Sequence, residues 1–403
     1  MHLRGSMSVI TDEKGVRPSR KRRRIIRLLL VAVAIVLLYC SPDAWRVIQD
    51  LRRPAPPPLN RSFDGNSTQL AHTQIVPTLD TAVDKGKNVI WCASFELAWK
   101  RLQADVAKEP VRLSPGDDIA TRLNQATDSL PDLPAADCYA AAGAVKAGVV
   151  QRIQTEMKSR FPSVATPTFE GLASDGHVAY AFLQTQSHFR IPYFQNRKPL
   201  EFKDSAGKKT SIRSFGIRTE DEYAYNELRD QVGILFRADD EDYQVEEFAI
   251  DLCRDSQPYQ VVAARIALGS TLAETLTSLQ TRISEWKPSY EDQKYLGVRD
   301  TVLVPDIFWR IEHHFRELEG SRFLNDSLKD QLLEQAVQEI VFRLDRNGAE
   351  LRSEAKEYCR PVAQHFDLNG PFLLYMKKRD AGGPFFVMWI DNAELLQSWP
   401  ESN

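Results

Sequence analysis

Few residues in this 403-residue chain stand at spacings that could do chemistry. Glu312-His313-His314 places three metal-type ligands in a row. Adjacent side chains point to opposite faces of a strand, or about 100° apart on a helix, so this run does not share one metal, and no HExxH pattern accompanies it. Asp239-Asp240-Glu241-Asp242 is densely acidic. It lacks the spaced ligands and central glycine of a calcium loop and reads as a solvated loop. The five cysteines, Cys40, Cys92, Cys138, Cys253 and Cys359, show no CxxC spacing. Cys92, Cys138 and Cys253 lie in apolar stretches and read as core thiols, whereas Cys359 lies in a polar one and reads as exposed. There is no glycine-rich phosphate loop and no GxSxG turn. The expectation is a non-enzyme with no catalytic residue, no metal and no cofactor.

The most informative segment is polar and lies near the C-terminus. Ala349, Leu351, Ser353 and Ala355 are small or apolar, and Glu350, Arg352, Glu354 and Lys356 are charged. This alternation has period two, so an extended segment would lay one face on a core and the other in water. The same residues are good helix formers, and an exposed helix is the rival reading. Upstream, Val341 to Leu344 reads as a strand that reaches a turn at Asn347-Gly348. Downstream, Phe366 to Ile390 reads as a strand hairpin of high apolar density.

Composition is that of a folded globular chain, with 43% hydrophobic and 27% charged residues. The net charge of −3 hides an asymmetry. Residues 1–27 carry nine Lys or Arg against Asp12 and Glu13, a net of +7, which leaves −10 for the rest. An acidic body argues against nucleic acid as a partner. The basic cluster abuts the apolar run Leu28 to Cys40, which extends through Trp45 to Ile48. With Trp45 at the interface, 28–48 reads as a single transmembrane signal anchor, with residues 1–27 cytoplasmic and the body extracytoplasmic. A cleaved signal peptide and a lipoprotein signal are the alternatives. Residues 49–80, opening on Arg53-Pro54-Ala55-Pro56-Pro57-Pro58, read as a stiff, polar linker, and the body as 81–396. Asn60-Arg61-Ser62 and Asn66-Ser67-Thr68 match glycosylation acceptors.

Within the body, Asn88 to Ser94 reads as a strand leading into a helix through Leu102. Cys138 to Met157 reads as one or two helices. His177 to Leu183 is the strongest internal strand, apolar enough to be buried on both faces. Glu201 to Ile217 reads as a hairpin around Gly207. Val232 to Phe236 and Val261 to Leu268 read as paired strands, with Phe248 to Leu252 a further one. A helix starts at Ser270, with Glu274 in its first turn, and ends near Trp286. Val302 to Pro305 starts a strand that Ile307 to Glu312 continues.

These elements carry a family resemblance. Phe366-Asp367-Leu368-Asn369-Gly370-Pro371-Phe372 resembles the C-terminal signature of the serpins, with Gly370 departing from it. Leu344 to Ala355 resembles the serpin hinge, and the distance from Gly348 to Phe372 resembles that family's reactive loop. Phe189-Arg190-Ile191-Pro192-Tyr193 resembles a further step of the family. Cys92-Ala93 stands where serpins have Ser-Pro. The resemblance runs from about Asn88 to Ile390. It implies an α+β, serpin-like fold of mixed β-sheets, including a large central sheet, with surrounding helices and an exposed reactive-loop segment at 348–365.

The resemblance also implies roles. Gly348, Ala349, Glu350, Leu351, Ser353 and Ala355 would form the loop hinge. Tyr358, Cys359, Arg360, Pro361 and Val362 would form the scissile region. Phe366, Asn369, Pro371 and Phe372 would form the signature strand. The implied partner is a serine or cysteine protease, met by a monomer whose cleaved loop inserts as a new strand. Insertion needs small residues on the buried face, no proline and low helix preference. Leu351, Arg352, Glu354 and Pro361 depart from those needs, and Pro361 would block cleavage after Arg360. Three functions follow. They are an anchored serpin-type inhibitor, a non-inhibitory serpin-fold binding or structural module, and an unrelated α/β domain. A fold with no five- or six-stranded sheet behind Val178 to Leu183 would leave only the third.

Overall fold

The largest sheet has seven strands in the order β11-β12-β13-β20-β21-β3-β2. They are β2 (Thr73–Ile75), β3 (Asn88–Cys92), β11 (Gly233–Asp239), β12 (Val245–Asp251), β13 (Tyr259–Arg265), β20 (Phe372–Lys378) and β21 (Pro384–Ile390). All neighbours are antiparallel except β2 and β3. Every residue of β21 and of β3 is buried, which accounts for the apolar density of Phe385-Phe386-Val387-Met388-Trp389. The computed structural model describes residues 59–400, apart from 127–129, 131–132, 163–165, 170, 174–175, 186, 219–225, 240–244, 330 and 348–363. Residues 58–403 form one unit. The expected tail and anchor, residues 49–58 of the expected linker, and Cys40, Cys359 and Asp240 to Asp242 lie outside the described residues.

A second sheet has the order β19-β14-β10-β7, formed by β7 (Phe194–Gln195), β10 (Ser214–Ile217), β14 (Thr301–Pro305) and β19 (His365–Asp367). The hairpin of β8 (Leu200–Lys203) and β9 (Lys209–Ile212) leads into it. A third layer has five strands in two sheets. β1 (Phe63–Asn66), β15 (Ile307–His314) and β18 (Val337–Leu344) form one, and β5 (Cys138–Ala144) and β6 (His177–Leu183) form the other. A small sheet joins β4 (Leu113–Ser114), β16 (Ser321–Phe323) and β17 (Leu332–Leu333). The helices are α1 (Ser94–Arg101), α2 (Asp117–Ala126), α3 (Val149–Arg160), α4 (Asn226–Asp230) and α5 (Leu272–Glu285). Helix α5 starts two residues later than its sequence reads, at Leu272, with Thr271 Oγ1 accepting the Glu274 N–H at 3.0 Å.

The α+β class with mixed sheets is therefore observed, and several local expectations are corrected. Cys138 to Ala144 is a strand, because the apolar strand β6 offers it a full seven-residue ladder that overrides the helix preference of its alanines. Only Val149–Arg160 of that stretch is an α-helix. The five- or six-stranded sheet expected behind Val178 to Leu183 is not formed as one hydrogen-bonded sheet. Among the described residues β6 pairs only with β5, the large sheet does not contain it, and it is only half-buried along most of its length. The serpin-type readings therefore have to rest on how β5–β6 lies beside β18. Val232 to Phe236 does not pair with Val261 to Leu268, since β12 lies between them. Val302 to Glu312 is not one strand. The chain changes sheet at Asp306, a buried carboxylate that breaks the apolar run. Residues 63–66 and 73–75, expected as linker, are strands paired with β15 and β3. At the other end the body runs past Leu396 to Trp399, whose N–H donates to Ser211 O.

Gly216 in β10 has φ +146°, and a Cβ there would stand 1.8 Å from Val302 O on β14. Gly216→Ala should therefore force the two strands apart and destabilise the domain by about 3 kcal/mol or more. The check is the urea midpoint, and an unchanged midpoint would contradict this packing.

Candidate functional site: two unpaired strand edges and the ends of residues 348–363

Hydrogen bonding along the third layer is uneven. The Phe315 N–H donates to Ala336 O, which sets the alternation of the antiparallel β15–β18 ladder. Residues 338, 340, 342 and 344 of β18 then bond to β15, and the backbone groups of Val337, Glu339, Val341 and Arg343 point away from it. In the same way, Gln184 N–H donates to Asp137 O and Val145 N–H to Gly176 O. The backbone groups of Ala179, Ala181 and Leu183 on β6 therefore point away from β5. Among the described residues β18 pairs only with β15, and β6 only with β5. Two rows of backbone donors and acceptors are left without a ladder.

The two edges are neighbours. His177 Nδ1, at the start of β6, lies 2.7 Å from Gln331 Oε1, shortly before β18. Beyond the other ends, the Tyr193 N–H donates to Arg346 O at 2.9 Å and Arg346 Nε donates to Tyr193 O at 2.7 Å. Both contacts are made by flanking residues, Gln331 six residues before β18 and Tyr193 ten after β6. Together with the Tyr180–Glu339 proximity they fit β6 and β18 running in the same direction. Midway, the Glu339 charge adds to the burial that pushes the Tyr180 phenol up to about 12. Helix α1 packs under β5 and β6, and α3 covers the outer face through Val149, Ile153 and Met157 against Val178, Tyr180 and Phe182.

One buried side chain ties β18 to the turn below it. Gln338 Nε2 donates to Cys92 O at 3.0 Å and to Ser94 Oγ at 2.9 Å, while Gln338 Oε1 is buried without a partner. Cys92 Sγ also lies 3.4 Å from Ser94 Oγ. A hydroxyl is thus present beside the Cys92-Ala93 pair, supplied by Ser94. Cys92 and Cys253 are buried and Cys138 half-buried, all as free thiols, and burial raises the Cys92 and Cys253 thiols, the latter to about 12.

Residues 348–363 connect two fixed points. The departing end follows β18, where Asp345 accepts from Arg343 Nε at 2.6 Å and from the Asn347 N–H at 2.7 Å. The returning end is Gln364, whose N–H donates to the buried Asp300 Oδ1 at 2.8 Å and whose carbonyl accepts from Thr301. Beside the departing end lies Asp306. Gln195 Nε2 donates to its Oδ2 at 2.6 Å, Arg213 Nε stands 3.5 Å from the same atom, and Oδ1 is buried without a partner. Burial pushes this carboxyl up to about 6, against Gln195 and Arg213, and Asp345 adds to the rise.

Of the residues expected from sequence to act, Gly348, Ala349, Glu350, Leu351, Ser353, Ala355, Tyr358, Cys359, Arg360, Pro361 and Val362 lie outside the described residues. The signature residues are described. Phe366 and Phe372 are fully buried, and Phe366 meets Phe248 edge-on at 5.3 Å. Asn369 Oδ1 accepts from Arg265 at 3.2 Å and its carbonyl accepts from Lys203 at 2.9 Å. Pro371 is half-buried and precedes β20. This run carries the chain from β19 in one sheet to β20 in another. The Glu312-His313-His314 run does not converge as a set of three: Glu312 Oε1 lies 3.5 Å from His314 Nε2, while His313 points to the other face. His313 Nδ1 meets Ser67 Oγ at 2.7 Å, and His314 Nδ1 meets Glu319 at 2.8 Å. Sequence reasoning missed Gln338 and Asp306, although both left a signal. Gln338 shares the inward parity of Ile340, Phe342 and Leu344, and Asp306 is the lone charge in an apolar run.

No family model and no curated protein matches the chain. Solved structures are similar at low identity. Thyroxine-binding globulin in complex with thyroxine has 9% identity and a TM-score of 0.46, with 76% of this chain and 93% of that chain covered. The mouse protein-Z dependent protease inhibitor has 9% identity and a TM-score of 0.47, covering 76% and 91%. Serpin48 of the insect Tenebrio molitor has 10% identity and a TM-score of 0.41, covering 78% and 92%.

The raised Asp306 carboxyl gives a pH signature. From its ordinary value of 3.8 up to about 6, the folded chain holds a proton that the unfolded chain releases. Its contribution is therefore full below the ordinary value and is lost as pH rises through about 6. Asp306→Asn should gain stability relative to the parent between pH 4.5 and pH 7, read as the difference in thermal midpoints. Parallel midpoint curves would remove Asp306 as the cause.

Proposed function

We propose that this chain is a serpin-type protein whose residues 348–363 face a serine or cysteine protease and insert between β18 and β6 after cleavage. The observation that carries this reading is the pair of edges on β18 and β6 that have no ladder partner among the described residues, with contacts bridging their flanks at both ends. A strand laid between them must run antiparallel to both to complete two antiparallel ladders. A segment that left β18 at Asn347 and folded back on insertion would run in that direction. β18 has eight residues, and the sixteen residues 348–363 are long enough to fill the slot. The alternation of Ala349, Leu351, Ser353 and Ala355 with charged residues matches a strand with one dry face. The stored free energy is that of the open edges, released when a new strand pairs with both.

In this reading the basic tail and the apolar run at 28–48 hold the body on the extracytoplasmic side of a membrane as a single-pass protein. No nucleic acid or cofactor takes part. Cleavage falls after Tyr358, Cys359 or Val362, because Pro361 blocks the bond after Arg360. Leu351, Arg352 and Glu354 favour a second reading, a non-inhibitory module of the same fold, since a bulky, helix-favouring segment inserts slowly.

Nicking within residues 357–362 by a non-specific protease separates the two. Insertion should raise the thermal midpoint by about 10 °C or more, which for a domain of this size corresponds to about 7 kcal/mol released by the new pairing. Ala349→Arg should abolish that rise, because a charge would enter the dry face at the first inserted turn. An unchanged midpoint in the parent chain would sink the insertion reading and leave the binding module.

A further inference from the structure

The β5–β6 pair has a second open edge, on the side of β5 away from β6. By the same ladder alternation, the backbone groups of Cys138, Ala140, Ala142 and Ala144 point outward there. Two of their carbonyls are met by guanidinium groups of α3. Arg152 Nη2 donates to Ala142 O at 3.0 Å, and Arg160 Nη2 donates to Cys138 O at 2.7 Å. The edge is not walled off. A cavity of about 610 Å³ runs along residues 139–144 between Arg101, Asp105 and Lys108 on one side and Arg152 and Glu156 on the other. A second cavity, of about 640 Å³, continues past Tyr139 and Cys138 beside Lys100 and Arg160.

We propose that this edge of β5 takes an acidic, extended peptide from a partner protein as an added strand. Charge selects the occupant. The two cavities carry Lys100, Arg101, Lys108, Arg152 and Arg160 against Asp105 and Glu156, a net of +3. That excess sits on a body whose sequence beyond residue 27 has a net charge of −10. A second copy of the chain would bring the same cations to the same edge and be repelled. A carboxylate is a stronger acceptor than a neutral carbonyl. An incoming acidic side chain therefore draws Arg152 and Arg160 off Ala142 O and Cys138 O and frees both carbonyls for the ladder. Main-chain bonds to β5 then supply affinity, and the guanidinium groups supply selectivity. The floor is small, with Ala140, Ala142, Gly143 and Ala144, so the backbone of the added strand can approach closely.

The test uses the full chain and a seven-residue synthetic peptide that alternates glutamate and valine. Binding is read by fluorescence anisotropy at low and high salt. The peptide should bind and weaken as salt rises. A lysine–valine peptide of the same pattern should bind at least about tenfold more weakly, a difference of about 1.4 kcal/mol. The glutamate peptide with alternate backbone nitrogens methylated should lose affinity to a similar degree, because it cannot form the ladder. Ala140→Pro removes one outward donor without touching the β6 ladder, a placement that edge strands tolerate, and it should also weaken binding. Absence of binding at millimolar peptide would overturn the proposal. So would equal binding of the methylated peptide, which would mean that the groove is a cationic patch and not a strand-addition site.

Discussion

An unpaired backbone is the constraint around which this molecule is arranged. Along β18 and β6, alternate N–H and C=O groups have no ladder partner among the described residues. Backbone groups are ordinarily paired in folded proteins because an unmet donor or acceptor costs about as much as a lost hydrogen bond. Two facing rows in that state are therefore a concentrated source of free energy. The rest of the layer keeps them apart and keeps them aligned. Helices α1 and α3 support β5 and β6 from both faces. The Gln331–His177 and Arg346–Tyr193 contacts fix the two ends.

Gln338 gives this layer a discrete attachment. Its amide nitrogen is held by Cys92 O and Ser94 Oγ, while its amide oxygen is buried and unmet. A half-satisfied amide holds β18 in register with the turn below, yet leaves an acceptor that a rearranged layer could satisfy. Asp306 has a similar character at the point where the chain changes sheets. One carboxylate oxygen is served by Gln195 and approached by Arg213, and the other is served by nothing. Both residues lie beside strands that flank the open edges, and both retain polar capacity that the present packing does not use. Buried polar groups of this kind specify one arrangement without adding much to its stability.

The sequence was most informative where one element decides its own state. β21, β3 and helix α5 follow from apolar density or from capping. The turn at Gly207 was also readable, whereas the switch from β19 to β20 was not. Phe366, Asn369, Pro371 and Phe372 read as one signature strand, and the chain in fact leaves one sheet after Asp367 and enters another at Phe372. It was least informative where partners decide. Cys138 to Ala144 has helical composition and becomes a strand because β6 pairs with it. Residues 63–66 lack periodicity and become a strand because β15 offers an edge. The break at Asp306 needed knowledge that Arg213 and Gln195 converge on it from β-strand connections far away in sequence. The candidate loop itself was visible as a period-two pattern, but its two fixed ends were not. Tyr193, Asp300 and the partners of Gln338 are remote in the chain, and single-residue patterns carry no such pairing.

The two free edges of the β5–β6 pair differ in what guards them, and that difference argues for different occupants. An exposed edge invites indiscriminate pairing unless charge, brevity or cover prevents it. The β6 edge is covered by proximity to β18, so only a segment already tethered at the mouth enters easily. In the proposed reading, the Arg346–Tyr193 contact would be that tether for residues 348–363. The β5 edge is instead guarded by guanidinium groups that occupy its carbonyls. A neutral or basic strand would have to displace them without compensation, whereas an acidic strand offers them a better partner as it arrives. On the two proposed readings, a single two-stranded sheet would separate an intramolecular strand from an intermolecular one, by tethering on one side and by charge on the other.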